Sequence, residues 1–125
     1  MAPYERPPDL DDGTAIERVR GVCLALPGVT ERPSHGSPAF FAGKRSFVMF
    51  MDNHHRDGRL ALWCAAAAGV QAAVVEADPA RYFVPPYVGR GGWVGVRLDR
   101  GLGWDEVAGM IEDAHEAVTG KPKGA

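Results

Sequence analysis

The chain has 125 residues, 46% of them hydrophobic and 24% charged, with a formal net charge of −2. This length holds one domain that buries roughly two thirds of its unfolded surface around a single core, and leaves no room for a second. The longest apolar run, LALWCAAAAGV, is short of the ~18 residues of a membrane span, and the overall charge excludes a uniformly basic nucleic-acid binder. The charge is uneven, however: residues 32–100 carry a net +4, while residues 1–31 and 101–125 carry −3 each.

Residues 1–11, with Pro3, Pro7 and Pro8 among charges, read as a flexible tail without a signal-peptide pattern, so a cytoplasmic protein is expected. Thr14 and Glu17 have the spacing of a capping box. Ile16, Val19, Cys23 and Leu26 then follow at helical steps as far as Pro27-Gly28. TERPSHGSPAF reads as a structured loop, and PAFFAGKRSFVMFMD as two strands around a turn at Gly43. Apolar residues on both faces of FVMFM predict an interior strand covered on both sides. NHHRDGR is the next turn and LALWCAA the third strand.

Alanine-rich Ala67–Ala77 predicts a short helix with Val70, Ala73 and Val74 inward, ended by Asp78-Pro79. RYFVPPYVGRGGWVGVRLD supplies a short strand, a connection and a longer strand, with Val94, Val96 and Leu98 on one face and Trp93, Gly95 and Arg97 on the other. Val107, Met110, Ile111, Ala114 and Val118 mark a final helix from Trp104 to about Thr119. The expected architecture is α+β, a single domain over residues 12–119 with helices on a mainly antiparallel sheet, and a second flexible tail at 120–125.

Chemistry is sparsely signalled. Gly89 and Gly91 begin a G-x-G, but Val94 stands at the third glycine position and a strand follows instead of a helix, so the glycines read as a turn and not as a phosphate loop. Neither C-x-x-C nor H-x-x-x-H spacing occurs; no metal or cofactor is expected, and Cys23 and Cys64 read as buried free thiols. His54-His55 reads as a surface turn and His115 as part of a solvated helix face. The acidic pairs Asp11-Asp12, Asp105-Glu106 and Glu112-Asp113 read as caps and exposed faces.

His35 lies between Ser34 and Ser37 without an identifiable third partner, so a structural hydrogen bond is expected of it. A pocket at SHGSP holding a second titratable group would favour an enzyme centred on His35. The basic residues Lys44, Arg45, Arg56, Arg59, Arg90 and Arg97 sit at turns or beside Trp93, the pattern that phosphates and unstacked bases require.

The stretches LPGVTERPSHGSPAF, GKRSFVMF, YFVPPYVGRGGWVGVRLD and WDEVAGMIEDAHEAV together resemble the MmcQ/YjbR family of small bacterial proteins, over about residues 12–119. The motif loop of that resemblance is His35, Gly36, Pro38 and Phe40. It implies an α-β(3)-α-β(2)-α arrangement, similar to type III secretion chaperones and CyaY-like domains. It also implies a double wing that grips DNA through the hairpins at Gly43, Lys44 and Arg45 and at Arg90, Gly91 and Gly92, with Trp93 and Arg97 at the base. The expectation is therefore a non-enzymatic DNA-binding protein of uncharacterised activity. The alternative is a protein-interaction module or homodimer, with an enzyme at His35 as a further one.

Overall fold

The computed structural model describes residues 7–120; the tails at 1–6 and 121–125 lie outside the described residues. The elements run α1 (Thr14–Cys23), β1 (Val29–Ser34), β2 (Ser37–Ala42), β3 (Arg45–Asp52), β4 (Leu60–Cys64), α2 (Val70–Ala77), β5 (Tyr82–Phe83), β6 (Val94–Arg97) and α3 (Trp104–Thr119). All strand pairs are antiparallel, in the order β1-β2-β3-β4-β6-β5. The α+β class and helix-on-sheet arrangement are those the sequence implies. One more strand precedes α2 than expected.

The additional strand is β1, in the segment that reads as a loop. Pro33, Gly36 and Pro38 suggest irregular backbone, yet β1 is an edge strand, where a missing amide is tolerated. His35 (φ 51) and Gly36 (φ 82) form a two-residue hairpin turn of the kind that needs positive φ at both positions.

One face of the sheet is covered by helices. Val48, Phe50, Leu62, Cys64, Val94 and Val96 form a core there with Val19 and Cys23 of α1 and Val107, Ile111 and Ala114 of α3. Between β2 and β3 the register shifts, Phe40 pairing with Val48 but Phe41 with Ser46. This bulge lets the consecutive Phe47 and Val48 both enter the core. Cys23 and Cys64 are buried free thiols; burial pushes Cys23 up to about 12 and Cys64 higher still.

Several local expectations are corrected. The start of α1 is capped by Asp11, whose two carboxylate oxygens accept the amides of Ala15 and Ile16, and by Asp12, which accepts that of Thr14; no side-chain bond forms the Thr14–Glu17 box. The helix ends at Cys23 and not at Leu26, although Leu26 stays buried. The described part of the N-terminal tail is fixed: Asp52 accepts the amides of Leu10 and Asp11, and Asn53 Nδ2 donates to Pro8 O at 3.0 Å.

In α2, which begins at Val70, Ala73 is exposed and Val70, Val74 and Val75 are half-buried. His115 is 3% exposed, not solvated; its Nε2 donates to Pro27 O at 2.9 Å and its ring meets Phe47 edge-on. The Pro/Gly-rich connection is no tight turn, since residues 84–93 separate β5 from β6 and include a 3-10 turn at Val88–Gly91. Of its three glycines only Gly92 has positive φ, at 85°.

Candidate functional site

The opposite face of the sheet carries no helix. Strand alternation sends Met49, Met51, Ala61 and Trp63 there, away from Val48, Phe50, Leu62 and Cys64. One rung crosses the whole sheet, running Arg32, Ala39, Met49, Trp63, Gly95 and Phe83. Gly95 is required: a Cβ would overlap the Phe83 ring, which lies over it. The Arg59 guanidinium in turn stacks on Phe83, 4.1 Å from the ring centroid.

Loops cover this face and leave a cavity of about 780 Å³. Its floor includes Met49, Met51 and Trp63. Its walls are the β1–β2 turn at Ser34–Pro38, the N-terminal segment, Asn53–His55, and Tyr87 with Val88. Asn53 joins two of these walls: besides holding Pro8, its Oδ1 accepts the amide of Gly58 at 3.0 Å.

Backbone strain concentrates here. Five described non-glycine residues have positive φ, namely His35, Asn53, His55, Arg56 and Tyr87, and all but Arg56 line the cavity. Tyr87 (φ 65, ψ −66) is the central residue of a γ-turn closed by Val88 N–H to Pro86 O at 2.7 Å, the rarer and strained hand of that turn. Tyr87 is 72% exposed.

The ring of His54 stands edge-on to Trp63 with centroids 5.0 Å apart, and lies 4.1 Å from His55 and 6.2 Å from Tyr87. Burial, then the neighbouring His55 charge, holds the His54 imidazole below its ordinary range, with Asp57 opposing. Two side-chain nitrogens in this group, His54 Nε2 and Trp63 Nε1, are shielded from solvent and lack a partner among the described residues. A buried polar atom left unbonded costs about 1–3 kcal/mol, so such a pair calls for an explanation. His54 and His55 lie in a 3-10 turn, as the sequence suggests, with His55 exposed and His54 half-buried against Trp63.

The sequence-predicted cations are not assembled in one place. Strand register puts Lys44, Arg45 and the β5–β6 connection with Arg90 at one end of the sheet, and Arg56 and Arg59, in the β3–β4 connection, at the other. Lys44, Arg45, Arg56 and Arg90 are exposed, with Arg45 donating to Val118 O at 3.1 Å. Arg97 is only 16% exposed and makes two 3.0 Å bonds to Asp99. Burial would raise the Asp99 carboxyl, but those bonds, the Leu60 amide and nearby cations hold it below its ordinary range. Trp93 is half-buried and packs on the core.

Of the motif loop, His35 and Gly36 make the turn, Pro38 lines the cavity and Phe40 is fully buried in the core. No hydrogen bond joins His35 to Ser34 or Ser37 among the described residues, so no nucleophile is held against its base. The titratable groups sharing the cavity with His35 are His54, His55, Asp9, Asp11, Asp52 and Tyr87. Among the described residues no group of three or more His, Cys, Asp or Glu is placed to hold a metal ion, and no helix is long and apolar enough to cross a membrane. Sequence reading missed His54, Trp63 and Tyr87 as a group; the two-sided apolar pattern of FVMFM was the available signal that this second face is buried.

The YjbR family model matches residues 24–117. Among solved structures, the chain is similar to Deinococcus radiodurans protein DR2400, described as a DUF419 domain, with a TM-score of 0.71 and 19% identity over 85% of this chain and 79% of that one. At that identity the likeness speaks for the fold. No curated protein matches.

Proposed function

The chain belongs to the YjbR family, and within that fold we propose that it is a binding protein whose helix-free sheet face takes a small molecule. The observation that carries this reading is a cavity of about 780 Å³ whose lining residues include Trp63 and His54, each with a side-chain nitrogen, Nε1 and Nε2, that is shielded from solvent and lacks a partner among the described residues. Small-molecule sites are concave and mostly apolar, with a few polar groups that orient the ligand. The strained backbone at four lining residues supports the same reading, because such strain persists where geometry is held for binding.

A fragment screen by amide and indole correlation spectra tests it. Hits are expected to perturb Trp63, His54 and Tyr87 together; hits confined to other surfaces, or no hits, would overturn the proposal.

One observation favours a second reading, DNA binding by the two wings: Lys44, Arg45 and Arg90 share one end of the sheet and are exposed. Three phosphate contacts would give a log–log salt slope of about −2.7 for duplex DNA. Fluorescence anisotropy with labelled duplex at low and physiological salt measures it. Binding unchanged in Lys44→Glu/Arg90→Glu would sink this reading. Light scattering on the same sample tests the homodimer alternative, and a monomer would remove it.

A further inference from the structure

We infer that the cavity on the helix-free face is selective for a neutral or cationic planar heteroaromatic molecule bearing a hydrogen-bond acceptor, and rejects carboxylates and phosphate esters. This rests on the small-molecule reading above and names the chemistry of its ligand.

The charge of the lining is the first argument. Among the described residues no Lys or Arg lines the cavity, whereas the carboxylates of Asp9, Asp11 and Asp52 do. Both oxygens of Asp11 and both of Asp52 are engaged by backbone amides, which fixes the two groups in place. An entering anion would shed its hydration and meet no Lys or Arg, only the imidazoles of His35, His54 and His55 set against three carboxylates, an unfavourable exchange. A neutral molecule avoids that cost, and a cation gains from the carboxylates and from the faces of Tyr87 and Trp63.

Hydrogen bonding is the second. Trp63 is 3% exposed and its Nε1 has no partner among the described residues. Indole N–H donates only, so a ligand that seats deeply enough to displace what shields Nε1 must present an acceptor such as a carbonyl oxygen or an aromatic nitrogen. His54 Nε2, the other unpartnered atom, belongs to an imidazole that burial keeps toward its neutral form, able to present a lone pair or an N–H according to tautomer.

Shape is the third. Met49 and Met51 supply polarizable thioethers, and Trp63, His54 and Tyr87 supply ring faces and edges, which pack best against a flat unsaturated body.

The test uses three quinolines of one substitution pattern at neutral pH: the carboxamide, the aminomethyl compound and the carboxylate. Each is titrated into the full chain while the Trp63 indole N–H and the amides of His54 and Tyr87 are followed by NMR. The carboxamide and the aminomethyl compound are expected to shift these resonances, and the carboxylate to bind at least tenfold more weakly. A carboxylate that binds as tightly as the other two would overturn the inferred selectivity and leave the cavity as a binding site. If none of the three moves a cavity resonance, both the selectivity and the small-molecule reading fall. In Trp63→Phe, confirmed as folded by its spectrum, the carboxamide is expected to lose about tenfold in affinity; unchanged affinity would overturn the role of the indole donor.

Discussion

On the face covered by α1 and α3, Val48, Leu62, Val94 and Val96 are fully buried by helices whose side chains interlock with the sheet. On the other face Ala39, Ala61 and Trp63 are shielded almost as completely, yet by loops that hold positive φ at four non-glycine positions and leave two buried nitrogens unpartnered. Among the described residues the covered face has one such atom, His115 Nδ1, on a ring whose other nitrogen is bonded to Pro27 O. Equal burial is thus reached in two ways. Helix packing yields a dry core that stabilises the fold, whereas loop packing retains a cavity and polar groups that a ligand can use.

The largest expected effect separates the faces by stability. Ile111→Ala should cost about 2–5 kcal/mol by urea unfolding, and Met49→Ala, half-buried beside an existing cavity, roughly half of that or less. Comparable losses would mean that both faces are packed alike. Gly95→Ala should cost about 1–3 kcal/mol, because the new methyl displaces the Phe83 ring and with it the Arg59 stack; a neutral result would contradict the close approach of ring and strand.

Asp11→Ala should lose about 0.5–2 kcal/mol, since two helix-start amides lose their acceptor, while Thr14→Ala should change stability less. The reverse order in thermal melts would restore the capping box that the sequence suggests.

Tyr87→Gly should raise stability by about 1 kcal/mol, strain relief outweighing the entropy of glycine. The same change should weaken ligand binding, as a wall of the cavity is removed. A destabilised variant would show that Tyr87 contributes packing and not strain.

The smallest effect is a pH dependence. His54 titrates below the ordinary 6.5 in the folded chain, so below that pH the unfolded chain takes up more protons and stability falls as the solution is acidified. His54→Gln should flatten the part of the wild-type slope just below pH 6.5 that this group contributes; identical slopes would contradict the shift.

Periodicity made α1, α3 and the strand meander legible, because burial by helices imposes helical and two-residue repeats on residues such as Val19, Ile111 and Leu62. The strand β1 was hidden by Pro33, which suits an edge but reads as loop, and by Pro38 at the start of the neighbouring β2. The cavity was legible only indirectly, in the two-sided apolar pattern of FVMFM that predicts a strand covered on both faces. Its walls depend on the positive φ values of His35, Asn53, His55 and Tyr87; Asn and His adopt that region more often than most residues but do not announce where, and Tyr does so rarely. The basic pattern at Arg97 misled for a related reason: Asp99, two residues on, claims the guanidinium once the strand end turns.

The most direct measurement is the Trp63 indole N–H resonance, one of three from the tryptophans of the chain, assigned with Trp63→Phe and followed during titration with quinoline carboxamide. A saturable shift of that resonance, with the other two indoles unmoved, is expected if the helix-free face is a ligand site. A Trp63 resonance that stays in place at saturating probe would contradict it.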